Sequence, residues 1–162
     1  MNQILRSGLI GLAATALLSV GACSGSSETK GDEEPQFVED MHDFMNEEVD
    51  TLADEIWERQ GWVLTAKGET KLFPTDDAGW QAVVDAADEM MAVSEELASD
   101  KYSLGEADWV TYSEGLAVAA QQVKDAALVR DEQAVFDAGG LMYQVCLSCH
   151  ERFRTYGGYE AE

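Results

Sequence analysis

The residues with the most specific chemistry in this sequence are Cys146, Cys149 and His150, which form the pentapeptide C-x-x-C-H. Two thiols three residues apart can each add to a vinyl group of one haem and so form two thioether bonds. The imidazole that follows at once can bind the haem iron as its proximal ligand. The sequence therefore predicts one covalently attached haem c, held by Cys146 and Cys149, with its iron bound by His150.

The same pentapeptide has three other interpretations: a thioredoxin-like redox pair, half of a zinc site, or a chance match. A redox pair is expected in a βαβ context, and the sequence has no such pattern. A zinc site needs four ligands, and only His42 remains to complete one. The sequence favours haem attachment over these alternatives.

Length and charge limit the other functions. The chain has 162 residues, enough for one domain with a sizeable core, and a formal charge of −22. Phosphate contacts need clustered cations, so the composition predicts no nucleic-acid partner. The charge also argues against electrostatic binding to anionic lipid. It favours either a basic protein partner or simply a well-solvated surface.

Residues 1–22 have the pattern of an export signal. An apolar run of 12 residues at 9–20 is too short to span a bilayer and suits the core of a signal. It leads to Gly21-Ala22-Cys23, and small residues just before a cysteine resemble the lipobox of bacterial lipoproteins. The resemblance implies cleavage before Cys23, lipidation of that residue and a periplasmic protein anchored to the membrane. The alternative is an ordinary cut near Ala22 that leaves Cys23 as a free thiol.

The segment 23–36 follows the signal and is dominated by glycine, serine and charged residues. This composition predicts a flexible tether behind the lipidated Cys23. Ser24 stands where an Asp often marks retention in the inner membrane, which favours the outer membrane as the site of the anchor.

Four segments after the tether have apolar residues at helical spacing. They predict helices at about 37–60, from about 75 to 97, at 106–129 and at 131–154. Gly61 suits the end of the first helix. Thr75 and Asp131 suit the N-caps of the second and fourth. Segment 61–74 is an apolar loop that we expect to fold back on the helices.

Gly139 and Gly140 lie inside the fourth predicted helix. Each costs about 1 kcal/mol in helix propensity. They either permit the close approach of another helix or of the haem, or they mark a local weak spot. Residues 155–162 are predicted to form a disordered or loosely packed tail.

Four helices of similar length with short connections predict an all-α protein. The expected architecture is an antiparallel up-down-up-down four-helix bundle over residues 37–154, with covalently attached haem.

The position of the haem motif on the last helix resembles the cytochrome c′ family of four-helix c-type cytochromes. That family typically ends in C-x-x-C-H followed by an aromatic-Arg pair, which Phe153 and Arg154 match. The resemblance implies haem-based electron transfer or small-gas binding in the periplasm. It also implies that Arg154 lies beside the proximal face of the haem; the alternative is an Arg that solvates the helix end.

Candidates for the sixth iron ligand lie on the first helix, because an up-down-up-down bundle brings its start beside the end of the fourth. At 100° per residue, Met45 lies near the centre of the inward stripe and Met41 lies next to it. His42 lies on the shoulder of the stripe and is expected at the surface. Either methionine can equally be core filling. At the same level we expect the end of the second helix and the start of the third, with Met90, Met91, Leu97, Trp109 and Tyr112.

The leading hypothesis is a membrane-tethered electron carrier with iron bound by His150 and Met45. The alternative is a five-coordinate haem protein that binds nitric oxide or carbon monoxide. An enzyme is not expected, because peroxide or oxygen chemistry needs a polar distal group and His42 is the one candidate. The sequence leaves open whether the protein forms a homodimer.

Overall fold

The computed structural model describes residues 40–153. This part of the chain is mostly helical, which confirms the all-α prediction, with one small β-hairpin added. The signal at 1–22, the tether at 23–36 with Cys23, residue Arg154 and the tail at 155–162 lie outside the described residues. Between residues 40 and 153, none of the helices has the length and apolar character that crossing a membrane requires.

In chain order the elements are α1 (Met41–Phe44), a π-helical segment (Met45–Val49), α2 (Asp50–Trp57), β1 (Trp62–Thr65), β2 (Gly68–Lys71), α3 (Asp77–Ala98), α4 (Asp100–Ser103), α5 (Ala107–Leu128) and α6 (Glu132–Phe153).

Residues 41–57 form one uninterrupted helix, the composite helix, made of α1, the π-helical segment and α2. Its apolar residues recur at helical spacing, so one face is buried, including Val49 and Ile56. It ends at Trp57 rather than at residue 60. Gly61 follows with a φ of 89°, a conformation that glycine adopts without strain. The prediction that Gly61 ends the helix is therefore wrong, because the helix already ends at Trp57, with Glu58 as its C-cap, and Gly61 lies in the turn that leads to the hairpin.

The segment 61–74 is not the simple loop that the sequence predicts, because β1 and β2 pair there as an antiparallel hairpin. The strands have four residues each and are largely exposed, so they give no hydrophobic alternation for a sequence pattern to reveal. The expectation that the segment folds back is confirmed. The ring of Trp62 packs edge-on against Phe73 at 5.1 Å and against Phe136 of α6 at 5.3 Å.

The second predicted helix is α3, and its N-cap is Asp76 rather than Thr75. The Asp76 carboxylate accepts a hydrogen bond from the backbone N–H of Gly79 at 2.8 Å. An ionised side chain at this position both satisfies a free N–H and interacts favourably with the helix dipole. These contributions explain why the helix begins one residue later than expected.

The third predicted helix, α5, has the expected bounds to within one residue, and the fourth, α6, begins within one residue of its predicted start and is helical up to the last described residue. Asp131 caps α6 as predicted, because its carboxylate accepts a hydrogen bond from the Ala134 N–H at 3.0 Å. Gly139 permits the close approach of Gln60, in the turn after the composite helix: a Cβ at position 139 would collide with the Gln60 amide. Its carbonyl also accepts a 3.1 Å hydrogen bond from the indole N–H of Trp57.

The helices pack in pairs, with α3 along α5, α5 along α6, and α2 against α3. Polar contacts join their ends. The indole N–H of Trp109, at the start of α5, donates to the Leu97 carbonyl near the end of α3 at 2.7 Å. Arg152, near the end of α6, lies 3.6 Å from Asp108 at the start of α5. The centre of the core consists of fully buried side chains, among them Ile56, Val83, Ala87, Met90, Ala119, Ala120, Val123, Val135 and Met142.

Candidate functional site

The three residues of the C-x-x-C-H motif lie in the last two turns of α6. Their spacing of three and four residues puts Cys146, Cys149 and His150 on one face of that helix. All three side chains line a single cavity of about 420 Å³. Pockets that hold small molecules and cofactors typically measure about 300–1,000 Å³, so this cavity has a fitting size.

The remaining walls of the cavity come from three other helices. The composite helix contributes Met45 and Val49, and α5 contributes Trp109 and Leu116. Leu97, at the end of α3, completes the apolar lining. Aromatic and aliphatic walls with a few donor groups are typical of a site that holds a flat apolar cofactor. The thiols and the imidazole provide the donor set that haem attachment requires, so the residues present fit this group.

The π-helical segment begins at Met45 and ends at Val49, both of which line the cavity. Such departures from α-helical geometry occur frequently at functional sites. Met45 is half-buried, because part of its side chain faces the cavity. Met41, one turn earlier, is instead part of the buried core. The sequence pattern puts Met41 and Met45 on one apolar stripe, but in the structure Met41 belongs to the core and Met45 lines the cavity.

His42 lies at the surface, as the sequence predicts. Its side chain is 85% exposed, and Asp43 lies 3.6 Å from its ring. The amide of Asn46 approaches the same ring at 3.2 Å. This histidine is therefore placed for solvent contact and not for acid–base chemistry inside the cavity.

Phe153 lies behind the cavity wall. Its buried ring packs edge-on against Trp109 at 5.2 Å and against Tyr112 at 6.2 Å. Both partners line the cavity, so Phe153 fixes two of its aromatic walls. The predicted place of Phe153 near the haem stays a prediction, and Arg154 lies outside the described residues.

The electrostatic setting of the thiols does not suit a thioredoxin-like redox pair. Burial raises the pKa of both, and for Cys149 the pKa reaches about 11, with the neighbouring Cys146 as a further cause. Reactive cysteine pairs instead have a lowered pKa, often at a helix N-terminus. The motif here lies at the C-terminal end of α6, where the helix dipole disfavours a thiolate.

The zinc interpretation also lacks support from the donor set. Within residues 40–153, no three side chains of His, Cys, Asp or Glu are arranged so that they could hold a metal ion. A structural zinc site needs four such ligands.

Sequence reasoning correctly expected Leu97, Trp109 and Tyr112 at the level of this site, and all three line the cavity. Met90 was expected there too, but it is fully buried in the core. The lining also includes Asp50, Ala53 and Trp57 of the composite helix and Tyr143 of α6, which the sequence analysis did not single out. For Ala53 and Trp57 a sequence signal was present, because residues 45, 49, 53 and 57 follow one another at four-residue intervals and lie on one face of the helix.

Comparison with known proteins gives no match for this chain, whether with protein-family profiles, with curated protein sequences or with solved structures.

Proposed function

We propose that this protein is a c-type cytochrome that holds one covalent haem and transfers electrons. The observation that carries the proposal is the convergence of Cys146, Cys149 and His150 on one cavity with apolar walls. When bound, haem supplies an iron that accepts and releases one electron at a time. The protein's own contribution is attachment, orientation and control of the iron's surroundings.

Attachment needs only the two thiols and the two vinyl groups of the haem. The sulfur atoms of Cys146 and Cys149 would each bond to one vinyl carbon while the thiol hydrogen goes to the other, so the carbon–carbon double bond would become single. No electrons are lost, so the step needs no oxidant. The spacing of Cys146 and Cys149 on α6 supports simultaneous attachment, and His150 follows as the proximal ligand.

Met45 is the residue that we propose as the sixth ligand, because it lines the cavity from the composite helix. A thioether ligand raises the reduction potential of haem iron. An iron held by both His150 and Met45 also has no open position for a gas. Met41, the alternative ligand, has weaker support because it belongs to the buried core.

The five-coordinate alternative is a haem protein that binds nitric oxide or carbon monoxide. The apolar cavity lining by Leu97, Trp109 and Leu116 favours it if Met45 acts only in packing. Small uncharged gases need no polar partner on the distal side, so the same cavity suits them.

The proposed architecture is an antiparallel up-down-up-down bundle related to the cytochrome c′ family. Its support is the contact between opposite helix ends. Beyond the end of α5, Arg130 pairs with Asp77 at the start of α3 at 2.7 Å. Trp57, at the end of the composite helix, binds Gly139 in the first half of α6. Met45, at the beginning of the composite helix, shares the cavity with His150.

The proposed location is the periplasm, with a lipid anchor at Cys23 and a redox partner that is a protein, favoured to be basic by the charge of −22. The support is the pattern of small residues before Cys23. Fractionation of a Cys23→Ala variant checks it. Loss of membrane retention is the expected result, and unchanged retention contradicts the lipoprotein proposal.

Covalent attachment is the first test of the function. The haem should remain with the polypeptide in denaturing electrophoresis and resist extraction by acid-acetone. A Cys146→Ala, Cys149→Ala double variant should lose the bound haem, because no thioether can form. Ser148→Ala, between the two cysteines, is the matched control, and this variant should keep the bound haem. Haem that is extracted from the wild-type protein contradicts the proposal.

The visible spectrum tests the sixth ligand. The wild-type ferric protein should be low-spin, and Met45→Ala should convert it to a high-spin form that binds carbon monoxide when reduced. Met41→Ala is the matched control and should leave the spectrum unchanged. A wild-type protein that is already high-spin and binds carbon monoxide supports the gas-binding alternative. A spectral change from Met41→Ala alone assigns the ligand to Met41.

A further inference from the structure

The π-helical segment brings a charged residue, Asp50, to the same cavity as Met45. Both side chains line that cavity, and Asp50 is the first residue of α2. In a straight α-helix, residues five positions apart point about 140° away from each other. Here the backbone N–H of Asp50 donates to the carbonyl of Met45, which is the five-residue hydrogen bond of a π-helix. The wider π-helical turn reduces the angle between the two side chains, so both reach the cavity.

The charge of Asp50 is not neutralised by another side chain of the described chain. Within residues 40–153 its carboxylate forms no ion pair and accepts no hydrogen bond. The described residues that line the cavity include a second carboxylate, that of Glu151, but no lysine or arginine. The arginine of α6, Arg152, pairs with Asp108 of α5 instead. A charge beside apolar walls is felt more strongly than the same charge in water, because the local dielectric constant is lower.

The influence of Asp50 extends across the cavity to α6. Burial is the larger cause that raises the pKa of the Cys146 thiol, and the negative charge of Asp50 raises that pKa further. For Cys149 the causes are burial and the neighbouring Cys146. The Asp50 carboxylate therefore acts mainly on the side of the cavity that holds Cys146, the first of the two cysteines proposed to form thioether bonds.

A negative charge beside a redox centre changes its reduction potential in a predictable direction. Given the proposed function, a covalent haem held at this cavity, uptake of one electron removes one positive charge from the site. A carboxylate close by stabilises the oxidised state more than the reduced state, so it lowers the reduction potential. Proteins set the potentials of bound iron centres through net charge and solvent exposure as well as through the axial ligands.

We propose that Asp50 is a potential-setting residue, whose carboxylate at the cavity lowers the reduction potential of the bound haem, an assignment that rests on the proposed function. The π-helical segment holds this carboxylate at the cavity together with Met45. As an iron ligand Met45 raises the potential, so one stretch of the composite helix provides two influences of opposite sign. The effect of Asp50 depends on its charge and not on its packing, because the residue is exposed on the outer side.

Spectroelectrochemical titration of the haem-loaded full chain tests the proposal. Asp50→Asn removes the charge with little change of shape and should favour the reduced state about threefold to tenfold, an increase of about 30–60 mV in the midpoint potential. Asp50→Glu keeps the charge and should recover most of the wild-type potential. Asp54→Asn is the matched control, because Asp54 is an exposed carboxylate of the same helix, one turn further on, that does not line the cavity. It should change the equilibrium less than about twofold.

Added salt gives a second readout, because it screens the charge of an exposed carboxylate. The midpoint potential of the wild-type protein should rise with salt more steeply than that of Asp50→Asn. An unchanged potential in Asp50→Asn, or an equal shift in Asp54→Asn, overturns the proposal while the covalent haem remains. So does a shift in Asp50→Asn that comes with a change of spin state, since the iron ligands would then be its cause. A chain without covalent haem contradicts the proposed function itself, and the role of Asp50 with it.

Discussion

The two halves of α6 lie in different surroundings. In the first half, Val135, Ala138 and Met142 are buried in the core, and Gly139 is in close contact with Gln60, which follows the composite helix. In the second half, Cys146 and Cys149 are half-buried at the edge of a cavity of about 420 Å³. One half of the helix is therefore packed by the protein alone. The other leaves a space that a cofactor of suitable shape can fill.

This difference follows from the side chains. Small and branched residues such as Ala138 and Val135 let neighbouring helices approach and fill the interior at high density. Around the cavity, large rings such as Trp109 and Tyr112 form walls without filling the space between them. A cavity with apolar walls forfeits dispersion contacts, so a group that filled it would add to the stability of this half of the helix.

The largest effect is expected from removal of the proposed haem. In the Cys146→Ala, Cys149→Ala double variant, backbone hydrogen exchange should accelerate most in residues 41–53 and 143–153, which border the cavity. The first half of α6 and its partners on α5 should retain most of their protection, because their contacts do not involve the cavity. Mass spectrometry of peptide fragments measures this. Hydrogen exchange that accelerates equally along the whole of α6 would contradict the proposed difference between its two halves.

Met142 in the core and Met45 at the cavity allow the same truncation to alanine to be compared in the two surroundings. Met142→Ala should lower the free energy of unfolding by about 2–5 kcal/mol, because Met142 is fully buried and leaves a void. Met45→Ala should cost about 1 kcal/mol, since Met45 is half-buried and borders existing space. Urea titration of both variants in the haem-free double-cysteine background removes any effect of iron ligation. Equal losses would show that the cavity end is packed as tightly as the core.

Substitution of the adjacent residues Gly139 and Gly140 by alanine should change the free energy of unfolding in opposite directions. Gly139→Ala should lower the free energy of unfolding by about 1–3 kcal/mol, because the new methyl group overpacks the contact with Gln60. Gly140→Ala should raise it by up to about 1 kcal/mol through helix propensity, because the added methyl group meets no neighbour. Thermal unfolding of dilute protein measures both. A destabilised Gly140→Ala monomer contradicts the interpretation of that site as open.

Several features were predictable because they depend on local sequence. The spacing of Cys146, Cys149 and His150 predicts haem attachment without reference to any fold, because the three residues of one motif provide both thiols and the imidazole, and this stays a prediction. The periodicity of apolar residues gave the bounds of α5 and the start of α6 to within one residue. Asp131 was identified as a cap because capping depends on the first turn alone.

Other features were decided by contacts between distant segments. The hairpin at β1 and β2 is anchored by Trp62 against a ring 74 residues later in the chain, and no local pattern predicts that contact. Met41 and Met45 share one stripe in sequence, yet only packing against other helices buries the first in the core and exposes the second to the cavity. The role of Gly139 likewise depends on Gln60, which belongs to another segment. The sequence by itself determined the donor groups and the helices that bear them, because both are local. The tertiary structure alone decided where space remains between those helices, because a cavity is a property of side chains that meet from four different elements.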